Sequence, residues 1–155
     1  MDSDWAGDRH THKSTSGGVI LVGNHCLRTW STTQGAIALS SAEAEFYALT
    51  EGVLRAKGVV GVLEELGVPL RSRVVELNTD SSAAKSFVSR RGLGRMRHLE
   101  LRHLWIQREV GLGTVVVEKV AGTDNPADVL TKFLSRREIL ARLADSLSLE
   151  WSQPS

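Results

Sequence analysis

Val74-Val75-Glu76-Leu77-Asn78-Thr79-Asp80-Ser81 is the stretch on which the fold turns. The β-branched run from Val74 to Asn78 predicts a strand that stops at Thr79-Asp80-Ser81, with a short helix following over Ser82–Val88. Strand and helix then keep alternating downstream. His98 to Glu109 reads as a helix with Leu101, Leu104 and Trp105 on one face. Val115 to Val120 reads as a strand. Asn125-Pro126 opens a helix through Ala127, Leu130 and Phe133, and Arg137 to Leu147 forms a last one.

Upstream, Ser14-Thr15-Ser16-Gly17-Gly18 reads as a turn and Val19 to Val22 as a short buried strand. A hairpin turn at Asn24-His25 leads into an antiparallel strand over Cys26–Trp30. After a turn at Ser31–Gly35, Ala36 to Leu39 reads as a third strand. Ser40 or Ser41 caps a long helix, with Glu43 in its first turn, and Gly67-Val68-Pro69 ends it. The expected fold class is α/β. It is a mixed five-stranded sheet, three antiparallel strands and then parallel ones, covered by helices. Residues 1–150 form one domain and 151–155 a C-terminal tail.

The bulk composition agrees. With 155 residues, 41% hydrophobic and 24% charged, the chain has enough length and apolar content for one core. No apolar run reaches the length of a bilayer span, and no secretory leader follows Met1. The lone cysteine, Cys26, excludes an internal disulfide and reads as a strand core residue. Net charge is only +1, but its distribution is uneven. Nine basic residues face three acidic ones between Arg71 and Arg108, whereas acids concentrate between Glu43 and Glu76. That asymmetry suits a surface for phosphates beside a site for cations.

Four acids stand where structure alone explains them poorly. Asp2 precedes Trp5-Ala6-Gly7, Glu45 lies within the apolar face of the long helix, Asp80 ends a strand, and Asp128 sits in a first helical turn. Singly, each has a plain alternative: a helix cap for Asp80, a dipole complement for Asp128, solvation for Glu45, a loose end for Asp2. Together they offer the all-oxygen donor set that two divalent ions require.

Five blocks make the reading specific. Asp2-Ser3-Asp4-Trp5-Ala6-Gly7-Asp8 with Ser14-Thr15-Ser16-Gly17 is the first, and Ala38 to Leu49 the second. Asn78-Thr79-Asp80-Ser81, Arg97 to His103, and Asn125 to Lys132 complete them. In this order they resemble the ribonuclease H domains of copia-type (Pseudoviridae-like) LTR retrotransposon polyproteins, from Asp2 to about Leu147. The resemblance implies a ribonuclease H-like fold and a metal-dependent endonuclease that cuts the RNA strand of RNA–DNA hybrids during reverse transcription. It implies catalytic and metal-binding carboxylates at Asp2, Glu45, Asp80 and Asp128, holding two Mg²⁺ ions, with Mn²⁺ as an alternative. Asp4 shares a strand face with Asp2 and is a near-miss, while Glu43, two residues from Glu45 on a helix, points elsewhere. The implied partners are the hybrid and a reverse transcriptase domain of the same polyprotein, with no membrane and a monomeric isolated domain. The implied location is the cytoplasm, in a virus-like particle, with the nucleus as the alternative.

Substrate contacts are expected from Ser16, Thr33, Gln34 and Ser81, and from Arg90, Arg91, Arg95 and Arg97 in the basic stretch. Trp5, Trp30 and Trp105 could stack on bases or sugars, with core packing favoured for the latter two. Two departures from the family pattern stand out. The loop Ala121-Gly122-Thr123-Asp124-Asn125 lacks the histidine that cellular ribonucleases H carry before the last aspartate. Only Met1 precedes Asp2, where the resemblance puts several residues of a central strand, so a shortened first strand is expected. The alternative is therefore a catalytically weak or inactive nucleic-acid-binding remnant.

Overall fold

The computed structural model describes residues 1–90, 104–132 and 138. Strand β1 (Asp2–Ser3) runs antiparallel to β2 (Thr15–Val22), and β2 antiparallel to β3 (His25–Thr33). Helix α1 (Ser41–Glu65) crosses to a second sheet, in which β4 (Val75–Thr79) lies parallel to β5 (Val115–Lys119). Between these two strands come α2 (Ser82–Val88) and α3 (Trp105–Gly111). Two 3₁₀ turns, Gly122–Asp124 and Pro126–Leu130, follow β5. The molecule is an α/β protein.

Several expectations need correcting. Among the described residues, five strands divide into a three-stranded antiparallel sheet and a two-stranded parallel sheet rather than one mixed sheet. At the junction the Met1 nitrogen donates to the Asn78 carbonyl at 2.7 Å. A two-residue β1 satisfies too little of the β4 edge to continue a ladder across it. Ala36–Leu39 is not a strand, and the third antiparallel strand is β1 instead. The polar segments flanking the hairpin, read as turns, extend β2 back to Thr15 and β3 on to Thr33, with Thr15 opposite Thr33. Exposed Ser31, Thr32 and Thr33 suit the extension of β3, which buries only Trp30, whereas Ser16 is buried in β2. The same exposure leaves Cys26 half-buried rather than in the core. The helix expected from Asn125-Pro126 is a 3₁₀ helix over Pro126–Leu130, and its expected extension to Phe133 lies outside the described residues. Most of the predicted helices over 98–109 and 137–147 lies outside the described residues, apart from α3, its adjoining Leu104, and Glu138.

Elsewhere local signals and structure coincide. Ser40 caps α1, its Oγ accepting from the Glu43 amide at 3.2 Å. At the other end Val68 N donates to Leu63 O and Gly67 N to Glu64 O, both at 2.9 Å. Gly67, at φ 71°, supplies the left-handed residue this termination requires. The core forms where α1 presents Phe46, Leu49 and Val53 to Leu77, Phe87, Ile106, Val115 and Val117. Phe46 meets Phe87 edge-on, with ring centroids 4.6 Å apart. Trp30 joins this core from β3, and the Arg55 guanidinium lies 4.8 Å from its ring centroid. Trp105 is half-buried against the same cluster. Among the described residues, no helix is long and apolar enough to cross a membrane.

Candidate metal centre

Three elements from different parts of the chain converge at one end of the sheets. Asp2 comes from β1, Glu45 from the second turn of α1, and Asp80 from the end of β4 just ahead of α2. Each offers a carboxylate oxygen, and these oxygens lie within 4.8 Å of one another. Such crowding of like charge is unfavourable without a cation. Burial, and then the charge on Asp2, pushes the Glu45 carboxyl up to about 7 from an ordinary 4.5. Burial raises Asp2 as well, opposed by the Thr131 hydroxyl and reinforced by the charges of Asp80 and Asp128.

The surrounding groups orient these acids. The Ser3 amide donates to Glu45 Oε1 at 3.2 Å, while Glu45 Oε2 is buried with no hydrogen-bond partner among the described residues. A buried, unpartnered oxygen on a carboxylate that gathers with two others is what an oxygen-coordinated cation would satisfy. Thr131 Oγ1 donates to Asp2 Oδ2 in a short contact. A Cβ at Gly122 would lie 3.0 Å from Asp80 Oδ2, so this glycine leaves the Asp80 carboxylate room.

Asp128 is buried in the 3₁₀ turn beside this trio, near enough for its charge to act on Asp2, and it pairs with Lys132 Nζ. Asn125 caps its turn, accepting from the Ala127 amide at 3.1 Å and donating to the Met1 carbonyl at 2.8 Å. Gly17 lets the turn seat on β2, because a Cβ there would come within 2.8 Å of Thr131 Cγ2 and 3.0 Å of the Ala127 carbonyl. The near-misses have other partners. Asp4 Oδ1 accepts from the Thr15 amide at 2.5 Å. Glu43 is buried and accepts from the Leu39 amide at 3.0 Å and the Tyr47 hydroxyl at 2.5 Å.

The expected substrate residues scatter more widely. Ser16 and Gln34 are buried: Gln34 Nε2 donates to Ser16 Oγ at 2.9 Å and to the Ala44 carbonyl at 2.8 Å. They tie β2 to α1 rather than presenting those groups to solvent. Thr33 is exposed at the end of β3. Ser81 caps α2, accepting from the Ala84 amide at 3.2 Å. Arg90 is exposed, its guanidinium 4.6 Å from the Phe87 ring centroid. Arg91, Arg95 and Arg97 lie outside the described residues, as do His98 and His103. Sequence reasoning passed over Ser3, Asn125 and Thr131 as orienting groups. The one available signal was that Asn125 and Thr131 bracket Asp128 within a single block.

No family model and no solved structure matches the chain. Curated proteins do. Over 135 residues, 87% of its length, the chain is 32% identical to the Retrovirus-related Pol polyprotein from transposon RE2 of Arabidopsis thaliana. It is 31% identical over the same extent to that from transposon RE1 of the same plant. To that from transposon TNT 1-94 of Nicotiana tabacum it is 32% identical over 137 residues, 88% of the chain. The matched segments make up 9–10% of those polyproteins, so the chain spans about a tenth of the relatives it matches. The chain is, over most of its length, a homologue of one short segment of the retrovirus-related Pol polyproteins of transposons.

Proposed function

We propose that the chain is a ribonuclease H-like domain, a metal-dependent endonuclease that hydrolyses the RNA strand of RNA–DNA hybrids during retrotransposon reverse transcription. The observation that carries this reading is the meeting of Asp2, Glu45 and Asp80, brought from three elements to within 4.8 Å. The donor set is all carboxylate oxygen, with no thiolate or imidazole among the three, which suits Mg²⁺ or Mn²⁺. When bound, a pair of such ions activates water and stabilises the leaving oxygen of an in-line displacement.

The chain's own residues supply the frame. Asp2, Glu45 and Asp80 furnish ligand oxygens, and Asp128 stands beside them as a fourth carboxylate. Thr131 aims Asp2, and the Ser3 amide aims Glu45. Water adds to phosphorus, the bond from phosphorus to the 3′ oxygen breaks, and the products carry a 3′-hydroxyl and a 5′-phosphate. At least some of Arg90, Arg91, Arg95 and Arg97 would contact phosphates. In the polyprotein the natural neighbour is a reverse transcriptase domain, and the setting is a cytoplasmic virus-like particle. The isolated domain would be monomeric.

The test is cleavage of a labelled RNA–DNA hybrid with Mg²⁺ or Mn²⁺, beside matched RNA and DNA duplexes. Only the RNA strand of the hybrid is cut, and Asp80→Asn abolishes cutting while leaving the circular dichroism spectrum unchanged. An Asp80→Asn protein that cuts at full rate would refute the assignment. Hybrid binding with steep salt dependence and no cutting would instead identify a non-catalytic binding module.

A further inference from the structure

Trp5 lies three residues beyond Asp2, yet it is 56% exposed. Ile37 and Leu39, at 51% and 66%, expose apolar surface on the loop to which its ring is bonded. The indole is not loose. Trp5 Nε1 donates to the Ala38 carbonyl at 3.1 Å. On either side of Trp5 the chain is clamped: Asp4 N donates to Thr15 O at 3.1 Å, and Ala6 N to Ser14 Oγ at 3.1 Å. Ala6 adopts φ 53°, a left-handed conformation that a residue with a Cβ takes only where its surroundings impose it. The molecule thus holds a large aromatic ring in a fixed position on its surface, three residues along the chain from Asp2.

We propose that Trp5 is a stacking platform for the nucleic-acid strand lying across the Asp2–Glu45–Asp80 centre, with Ile37 and Leu39 packing against the adjoining sugar or base. The proposal rests on the nuclease reading above. Stacking on one ring needs no extended surface and is indifferent to sequence. A protein partner fits less well, because three side chains fall far short of the roughly 20–30 residues per side of a stable protein interface. β1 ends at Ser3, and no more than about 10 Å of extended chain separates Trp5 from Asp2, so a strand whose phosphate meets the Asp2 carboxylate has the indole within reach.

The experiment compares wild type, Trp5→Ala and Trp5→Phe in two arms. The first arm is hybrid binding in EDTA, followed by tryptophan fluorescence; the second is cleavage with Mg²⁺. Trp5→Ala weakens binding and raises KM by roughly ten-fold, while kcat stays within about two-fold and the urea midpoint is unchanged. Trp5→Phe, which keeps a ring, recovers most of the affinity. Hybrid binding quenches wild-type fluorescence, and the Trp5-dependent part of the quench is missing in Trp5→Ala. Unaltered binding by Trp5→Ala overturns the proposal, and so does a Trp5-dependent change in sedimentation without one in hybrid affinity. Hybrid binding with Trp5-dependent quenching but no cleavage leaves the platform standing and removes the nuclease reading. A wild-type protein that binds no hybrid removes both.

Discussion

Replacing Glu45 by glutamine should make the metal-free protein more stable and, on the proposed reading, abolish hybrid cleavage. The carboxyl is held up to about 7 by burial and by the charge on Asp2, against 4.5 in an unstructured chain. Below 4.5 both folded and unfolded states carry the proton, and the group contributes nothing to pH dependence. Between 4.5 and about 7 the unfolded chain ionises while the folded one does not, so wild-type stability falls as pH rises through this window. Above it the whole cost is present, corresponding to roughly 3 kcal/mol. Glutamine keeps the acceptor for the Ser3 amide, removes the charge, and offers its amide hydrogens to the neighbouring carboxylates. Relaxation of the wild-type site around its charge brings the expected gain to about 1–3 kcal/mol near pH 8, and to almost nothing near pH 4.5. Urea unfolding in EDTA reads this as a midpoint higher by about 1 M at the upper pH, with the two proteins converging at the lower. The refuting result is a Glu45→Gln protein no more stable than wild type near pH 8, or one equally stabilised at both pH values. With Mg²⁺ present, wild type alone should gain stability.

Two further outcomes follow from neighbouring features. Thr131→Val removes the hydroxyl that orients Asp2, and apparent metal affinity, followed by the thermal shift on Mg²⁺ titration, drops about 10–100-fold with the fold retained. An unchanged titration would mean that Asp2 needs no support from Thr131. Gly58→Ala, in the interior of α1, places a Cβ where no atom of the described residues beyond its own stretch of helix lies within 4 Å. It should raise stability by about 0.5–1 kcal/mol in chemical denaturation, and a loss would show that the face of α1 at position 58 is itself covered.

What the sequence disclosed tracks how local each signal is. The Val74–Asn78 run, the Ser81 cap and the Ser82–Val88 helix are all written in adjacent residues, and the structure has β4, the cap and α2 there. Ser40 and Gly67 delimit α1 for the same reason. Ala36–Leu39 misleads because its apolar residues resemble a strand in isolation, while in the structure β1 is what pairs with β2 and Ala36–Leu39 has no strand partner. Ser16 and Gln34 mislead in the opposite sense. Polar residues beside a hairpin look like solvent-facing donors, but α1 covers them and they bond to each other and to Ala44. The proximity of Asp2, Glu45 and Asp80 rests on packing between elements up to 78 residues apart. No periodicity reports such a meeting, and at the level of sequence only the order of the five blocks suggested it.

The carboxylate cluster also straddles the seam in the sheet. Asp2 belongs to the antiparallel sheet, Asp80 to the end of the parallel one, and Glu45 to the helix that bridges them. Between the two sheets the described strands share no ladder, and Met1 N to Asn78 O is a hydrogen bond that crosses the border. A cation gripped by all three acids would rivet the halves together, so emptying the site would loosen architecture as well as stop chemistry. Slower amide exchange along the facing edges of β1 and β4 on adding Mg²⁺ would register the rivet closing.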